Sequence, residues 1–342
     1  MKIAACRKKI KEDEVNMNRK WTIGSFFAGV GGIDLGFEQT KEFEVIYANE
    51  FDKYPIKTYE QNFKIKVDSR DINDVSGNEI PNFDIMVGGF PCQAFSVAGY
   101  RQGFHDEKGR GNLFFEMARI IEEKKALGHQ PIAVFFENVK NLVGHDNGNT
   151  FRVILDTLTK LGYHVQQMVL NSCQYGNIPQ NRERIYIVGF VNEDSFNKFH
   201  FPMPTALTKK LKDVIDFDNE QDEEYYYRPN KCRFYDILEK EMNDSNTIYQ
   251  WRRVYVRENK SNICPTLTAN MGTGGHNVPL IKCKSGIRKL TPRECFNLQG
   301  FPLDFKLPDD MSNTRLYKQS GNSVVVPVVE RIAKEIAVAL KN

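Results

Sequence analysis

No stretch of this 342-residue chain approaches the roughly 20 consecutive apolar residues that a membrane-spanning helix needs. Residues 1–20 are charged and hold no apolar signal core of roughly 7–15 residues. They read as a flexible lead-in, with Met17 as an alternative start, and not as a secretion signal. There is no CxxC pair. The seven cysteines are odd in number and scattered, which argues against a disulfide framework and for a reducing cytoplasm. The six histidines are dispersed without zinc-site spacing, so no metal is expected. The absence of GxxxxGK[ST] excludes a phosphate-clamping loop of the ATPase type. Internal repeats and low-complexity tracts are also missing.

What remains is a soluble globular composition, 41% hydrophobic and 27% charged, long enough for one large domain or two ordinary ones. The net charge of +3 is uninformative, but its distribution is not. Residues 213–244 hold 11 acidic and 4 basic side chains, net −7. Residues 245–293 hold 9 basic and 1 acidic, net +8. Such a sign change marks either two faces with different partners or two ordinary solvated surfaces.

Short apolar runs bounded by turn or charged residues stand at 45–48, 85–87, 133–136 and 185–188, and read as buried parallel strands. Helix-length segments at 54–62, 112–125 and 150–161 alternate with them, which predicts a mostly parallel sheet covered by helices on both faces. The rhythm breaks after Phe190. Residues 201–305 form a smaller, irregular unit with short β-like runs such as 253–256, and residues 306–342 return to the first domain through a helix over 324–340. The first domain is thus set at 21–200.

Phe27-Ala28-Gly29-Val30-Gly31-Gly32 lies between strand and helix, where glycines let backbone N–H groups approach a ligand. Glu50 follows about 20 residues later, placed for ribose hydroxyls, and Asp71-Ile72 offers an acid for an adenine amino group. This suits a nucleoside cofactor without demanding a pyrophosphate. S-adenosylmethionine fits, and a dinucleotide is less natural because GVGG is not GxGxxG.

Gly88-Gly89-Phe90-Pro91-Cys92-Gln93 puts a thiol in a sharp turn at a strand's C-terminal end, the edge where open α/β sheets bind ligands. A lone cysteine is most often a small buried hydrophobe. Cys92 departs from that because Glu137, after four apolar residues, should end a strand on the same edge.

FAGVGG, GGFPCQAFS, ENV, QNRERIYIVG, RKLTPRECFNLQGFP and QSGNSVVVPVV stand in the order and spacing of the cytosine-C5 DNA methyltransferases. The chain resembles most the stand-alone bacterial enzymes of restriction–modification systems, from about Thr22 to the C-terminus. The resemblance implies a doubly wound, Rossmann-like fold of the class I S-adenosylmethionine-dependent methyltransferases with a target-recognition domain. It implies that Cys92 adds to C6 of cytosine and that Glu137 contacts N3 and the exocyclic amino group. Arg184 matches the arginine aimed at O2, and Arg182 supports the site and contacts backbone. Phe27, Gly29, Gly31, Glu50, Asp71, Ile72 and Asn322 fall on cofactor positions, with Pro91, Leu113 and Val324 close by. The thiol, with an ordinary pKa of roughly 8.5, has no strongly basic neighbour in sequence. Helix-end dipoles and DNA binding remain as aids to its ionisation.

Cytosine C5 and C6 cannot both be reached inside a stacked duplex, so the base must be rotated out. The loop 97–104, with Arg101, reads as a lid, and Gln93 and Ser96 are assigned to DNA contact. In the second domain Gln250, Arg252 and Arg253 interleave with aromatics, as base and phosphate contacts require. The alternative is that the two arginines pair with the acidic segment. Thr266 matches a position touching phosphate. The expected partner is duplex DNA read by a monomer in the bacterial cytoplasm, paired genetically with a restriction endonuclease. The target is expected to be a short GC-rich interrupted palindrome such as CCNGG or GCNGC. The rival readings are a tRNA cytosine methyltransferase, whose distinctive Cys-Phe-Thr segment is missing here, and a catalytically silent relative.

Overall fold

A computed structural model of the chain describes residues 19–91, 113–273 and 277–341. Cys92, Gln93, Ser96, Arg101 and the rest of the 97–104 loop lie outside the described residues, as do residues 1–18 of the lead-in.

Six strands form the main sheet: β1 (Trp21–Phe26), β2 (Phe43–Asn49), β3 (Ile85–Gly88), β4 (Ala133–Val139), β5 (His164–Asn171) and β7 (Glu183–Phe190), in the order β2-β1-β3-β4-β7-β5. β1 to β4 run parallel. Helices α1 (Gly32–Glu38), α2 (Lys53–Asn62), α3 (Leu113–Ala126) and α4 (Asn149–Lys160) follow β1, β2, β3 and β4. Short helices α5 (Ser172–Tyr175) and α6 (Glu193–Lys198) come next.

Alternation along each strand sends neighbours to opposite faces. Ala133 and Phe135 join Phe37, Val329 and Ile332 on one side, while Val134 and Phe136 join Phe114, Ile154 and Leu158 on the other. Both faces are therefore dry, which is why these strands read as unbroken apolar runs.

The 185–188 run corrects the expectation of a parallel strand. β7 is antiparallel to both β4 and β5. Only residues 172–182 connect β5 to β7, too short for the helical crossover that parallel neighbours need. Burial on both faces gives such a strand the same composition as a parallel one. β5 itself, at the sheet's edge, escapes sequence reading because its half-exposed His164–Asn171 carries no clean apolar pattern.

The smaller unit holds α7 (Tyr235–Glu241) and an antiparallel sheet of β8 (Tyr249–Trp251), β9 (Val256–Glu258), β11 (Leu280–Cys283) and β12 (Gly286–Lys289), in the order β12-β11-β8-β9. Of the 253–256 run only Val256, which opens β9, is in a strand. Arg252 to Tyr255 make the β8–β9 turn, closed by Arg252 N donating to Tyr255 O (2.9 Å), and Arg253 has a positive φ of 68°.

A buried bidentate ion pair, Arg288 Nη2 to Glu294 Oε1 (2.7 Å) and Nη1 to Oε2 (2.8 Å), ties β12 to α8 (Pro292–Asn297). Phe296, Phe301 and Phe305 then pack on Val30 and Val326 of the main body. The chain ends in α9 (Asn313–Asn322) and α10 (Val326–Leu340), the latter packed with α1 on one face of the main sheet. No helix among the described residues is long and apolar enough to cross a membrane.

Candidate active site

The parallel strands end on one edge, and a cavity of about 490 Å³ opens there. Its floor begins at β1. Ala28 N donates to Asn49 O (3.1 Å) and Gly29 N to Glu50 Oε2 (2.9 Å), so the glycine turn is stitched to the end of β2. Glu50 Oε1 accepts from Asp52 N (2.8 Å), and burial raises the pKa of this carboxyl against those hydrogen bonds. Phe27 holds a positive φ of 53°, a strained conformation for an aromatic residue and one that clusters at ligand sites.

The two central glycines of the turn do different things. A Cβ on Gly29 would meet nothing nearer than Phe27 O at 3.9 Å, whereas one on Gly31 would strike the Phe63 ring. Gly31 lies outside the cavity lining and serves the packing of α1 on α2. Under the turn, Asp34 is wholly buried and accepts from Ser25 Oγ (2.6 Å) and Tyr59 OH (2.7 Å); burial pushes its pKa up to about 6 against those bonds.

Glu137 and Arg184 stand side by side on antiparallel β4 and β7, with Arg184 Nε 3.0 Å from Glu137 Oε1. The pair is close but misaligned, because Glu137 Oε1 has no directed hydrogen bond among the described residues. Burial raises the Glu137 pKa, opposed by Arg184 and then Arg182. Burial thus favours the neutral form of this carboxyl and the two arginines favour its charged form, with burial the larger effect. Glu137 sits inside β4, not at its end.

Arg182 is buried and contacts backbone, as expected. Nη1 donates to Leu267 O (2.7 Å), and Nη2 to Gly321 O (3.1 Å) and Ser323 O (2.5 Å). Burial, and then Arg184 beside it, pull its pKa down. The neighbouring strand β6 (Gln180–Asn181) pairs with β10 (Cys264–Pro265), and Leu267 N donates to Gln180 Oε1 (3.1 Å). A Cβ on Gly321 would run into the Thr268 backbone. Residues 264–268 are thus fastened to the main body.

The cavity brings together Phe27, Gly29, Glu50, Pro91, Asn322 and Val324 with Glu137, Arg182 and Arg184. It leaves Asp71, Ile72 and Leu113 outside its lining. Asp71 caps a short turn by accepting from Asn73 N (3.0 Å), and Ile72 is buried in the core. Sequence reading missed Asp52, Arg315 and Lys318 on the same wall, where Lys318 Nζ meets Asp52 Oδ2 at 3.0 Å and Arg315 lies 4.0 Å over the Tyr54 ring. The signal was the amphipathic charge pattern just ahead of QSGNS.

A second cavity, about 610 Å³, lies between the β8–β9 hairpin and residues 265–270, with Gln250, Arg252 and Thr266 in its lining. Arg253 stays outside it, and neither Arg252 nor Arg253 forms an ion pair with any described residue. The Thr266 hydroxyl donates to Asn181 O (2.6 Å), so reaching a phosphate requires it to turn away.

Comparison with known proteins agrees with this geometry. The family model described as C-5 cytosine-specific DNA methylase matches residues 21–338. Type II methyltransferase M.Bsp6I from Bacillus sp. (strain RFL6) is 60% identical over 314 residues, 92% of this chain and 98% of that protein. Type II methyltransferase M.HhaI from Haemophilus parahaemolyticus is 41% identical over 327 residues, 92% of this chain and 93% of that one. Among solved structures, a Spodoptera frugiperda DNMT2 mutant superposes with a TM-score of 0.71 at 19% identity, covering 93% of this chain and 99% of that chain, a likeness of fold. With that family model matched over residues 21–338 and a relative 60% identical over 92% of the chain, the chain belongs to the C-5 cytosine-specific DNA methylases.

Proposed function

We propose that the protein transfers the methyl group of S-adenosylmethionine to C5 of a cytosine rotated out of a short, specific duplex sequence. The carrying observation is that the Gly29–Glu50 hinge and the Glu137–Arg184 pair share one cavity. Its size suits a nucleoside-sized ligand together with a base. The open side of Gly29, the paired Glu50 carboxyl and the Ser323 hydroxyl, buried and without a hydrogen-bond partner among the described residues, fit an adenosyl amino acid. S-adenosylmethionine, when bound there, supplies an electrophilic methyl group. Phe27, Gly29, Glu50, Asn322 and Val324 would hold it, with Gly31, Asp71, Ile72, Pro91 and Leu113 as supporting positions.

Arg184 orients the base through O2, and Glu137 donates to N3 and accepts from the exocyclic amine. That draws electron density from the ring as the Cys92 thiolate forms its bond to C6. C5, now enamine-like, would take the methyl group as the bond from the methyl carbon to the sulfonium sulfur breaks, leaving S-adenosylhomocysteine. Loss of the C5 proton to solvent, with the N3 proton returned to Glu137, then expels the Cys92 thiolate and restores the ring. Gln93, Ser96, Arg101, Gln250, Arg252, Arg253 and Thr266 face the DNA.

The relatives are named as bacterial Type II methyltransferases, which supports pairing with a restriction endonuclease; in this reading the protein works in the bacterial cytoplasm as a monomer on a GC-rich interrupted palindrome. Bisulfite sequencing of DNA from a host expressing the protein tests this. The expected result is 5-methylcytosine confined to one motif in duplex DNA and lost with Cys92→Ser. Absence of 5-methylcytosine, or a serine variant near parental rate, overturns it.

A further inference from the structure

The larger cavity has two unlike walls. One is the clamped segment, bearing Thr266, Thr268 and Asn270. The other is the β8–β9 hairpin, in which Gln250 pairs directly with Arg257 and Trp251 with Val256. Cross-strand partners share a face, and successive residues alternate. Trp251 stacks on Phe234 (4.2 Å, 6°) and packs with Val256 on the apolar cluster of the domain. Gln250 and Arg257 leave from the other face, and both line the cavity, with Trp251 and Arg252 contributing beside them.

Arg257 is exposed, and its guanidinium makes no hydrogen bond or ion pair with any described residue. Arg252, which also lines the cavity, and Arg253 are likewise without an ion pair among the described residues, but both sit on the β8–β9 turn, whereas elsewhere in the domain Arg228 is bound to Glu223 and Arg288 to Glu294. Arg257 also stands on a strand of a four-stranded sheet, where its root is fixed, whereas Arg253 sits on the turn outside the cavity. An arginine fork offers parallel N–H donors and no acceptor, and in the major groove only guanine presents two acceptors, N7 and O6, with the matching spacing. A phosphate contact suits the rim. Arg257 lies within the cleft, among hydroxyls and amides that match base edges.

We infer that Arg257 is a specificity-determining residue whose guanidinium reads the N7/O6 edge of one guanine in the target sequence. This rests on the reading that the protein methylates cytosine in duplex DNA.

The test is a randomised duplex library methylated by the parent, Arg257→Ala, Arg257→Lys and Arg253→Ala, read by bisulfite sequencing, with salt-dependent DNA binding measured in parallel. The parent should show one motif. Arg257→Ala should lose preference for guanine at a single position by roughly ten- to a hundredfold. Arg257→Lys, keeping charge without the fork, should relax the same position while leaving the salt slope unchanged. Arg253→Ala, on the turn outside the cavity, should weaken binding of all sequences alike and keep the same motif. A uniform fall across all sequences in Arg257→Ala, with the salt slope reduced by about one, would make Arg257 a phosphate contact and overturn the inference. An unchanged motif would do the same. A parent that leaves no 5-methylcytosine anywhere overturns the proposed function instead, so the two failures are distinct.

Discussion

Glu137 lies nearly out of water with one oxygen beside Arg184 and no directed bond to it. The proposed function makes this carboxyl the proton donor to the base, and its amide analogue keeps the shape without the acid. Glu137→Gln is expected to lower the single-turnover methylation rate by roughly 10²–10⁴-fold, while binding of S-adenosylhomocysteine stays within a few-fold of the parent. The two glycines give a second contrast. Gly29→Ala should weaken binding of that product, measured by calorimetry, because its Cβ faces the cavity. Gly31→Ala should lower Tm, by about 1–3 kcal/mol of stability, because its Cβ meets Phe63. At this scale much was legible: Glu137, Arg184, Glu50 and the turn, singled out by residue type and motif, line one cavity. Arg315, Lys318 and Arg257 were not legible. A charged residue on a helix or strand shows its direction only once the partner element is in place.

Secondary structure was legible where burial gives a strong pattern and obscure where direction or turn geometry decides. The helices over 54–62, 112–125 and 150–161 start within a residue of α2, α3 and α4. The antiparallel sense of β7 comes from the length of its connection, and the turn at Arg253 from a φ that its sequence, RRVY, does not advertise. Asp34 belongs to this scale because it joins three elements, through Ser25 on β1 and Tyr59 on α2. Its carboxyl titrates near 6 in the folded protein against an ordinary 3.8. Between those values the folded state binds more protons than the unfolded chain, so this group's contribution to stability falls as pH rises through roughly 4 to 6. Asp34→Asn should flatten that part of the dependence of the urea midpoint on pH. A variant with the parental slope would show that Asp34 is ionised throughout. Glu50 and Glu137, also raised by burial, leave a residual slope of the same sign.

Over the whole molecule the charge reading meets a surface with two characters. The basic stretch 245–293 carries the hairpin and the clamped segment around the larger cavity, while in the acidic stretch Glu223 pairs with its neighbours Arg228 and Lys231. Specific binding should therefore weaken steeply with salt. Deleting residues 1–16 should leave methylation unchanged in a restriction-protection assay, since the family match begins at residue 21. Sequence reading set the second domain at 201–305 on loss of rhythm alone. The fastening of 264–268 to β6 and Arg182 arises between residues about 85 positions apart, which no local pattern reveals.

That fastening bears on how such a protein changes its target. On the proposed function the reading face has two parts: a hairpin in its own sheet, and a strip hydrogen-bonded to the catalytic body. A graft exchanging residues 201–263 would carry a new hairpin onto an intact anchor, whereas a seam cut inside 264–268 would sever Leu267 from Gln180 and Arg182 together. The interchangeable cassette is shorter than the reading face, and chimeras should divide into working and inert sets at Cys264.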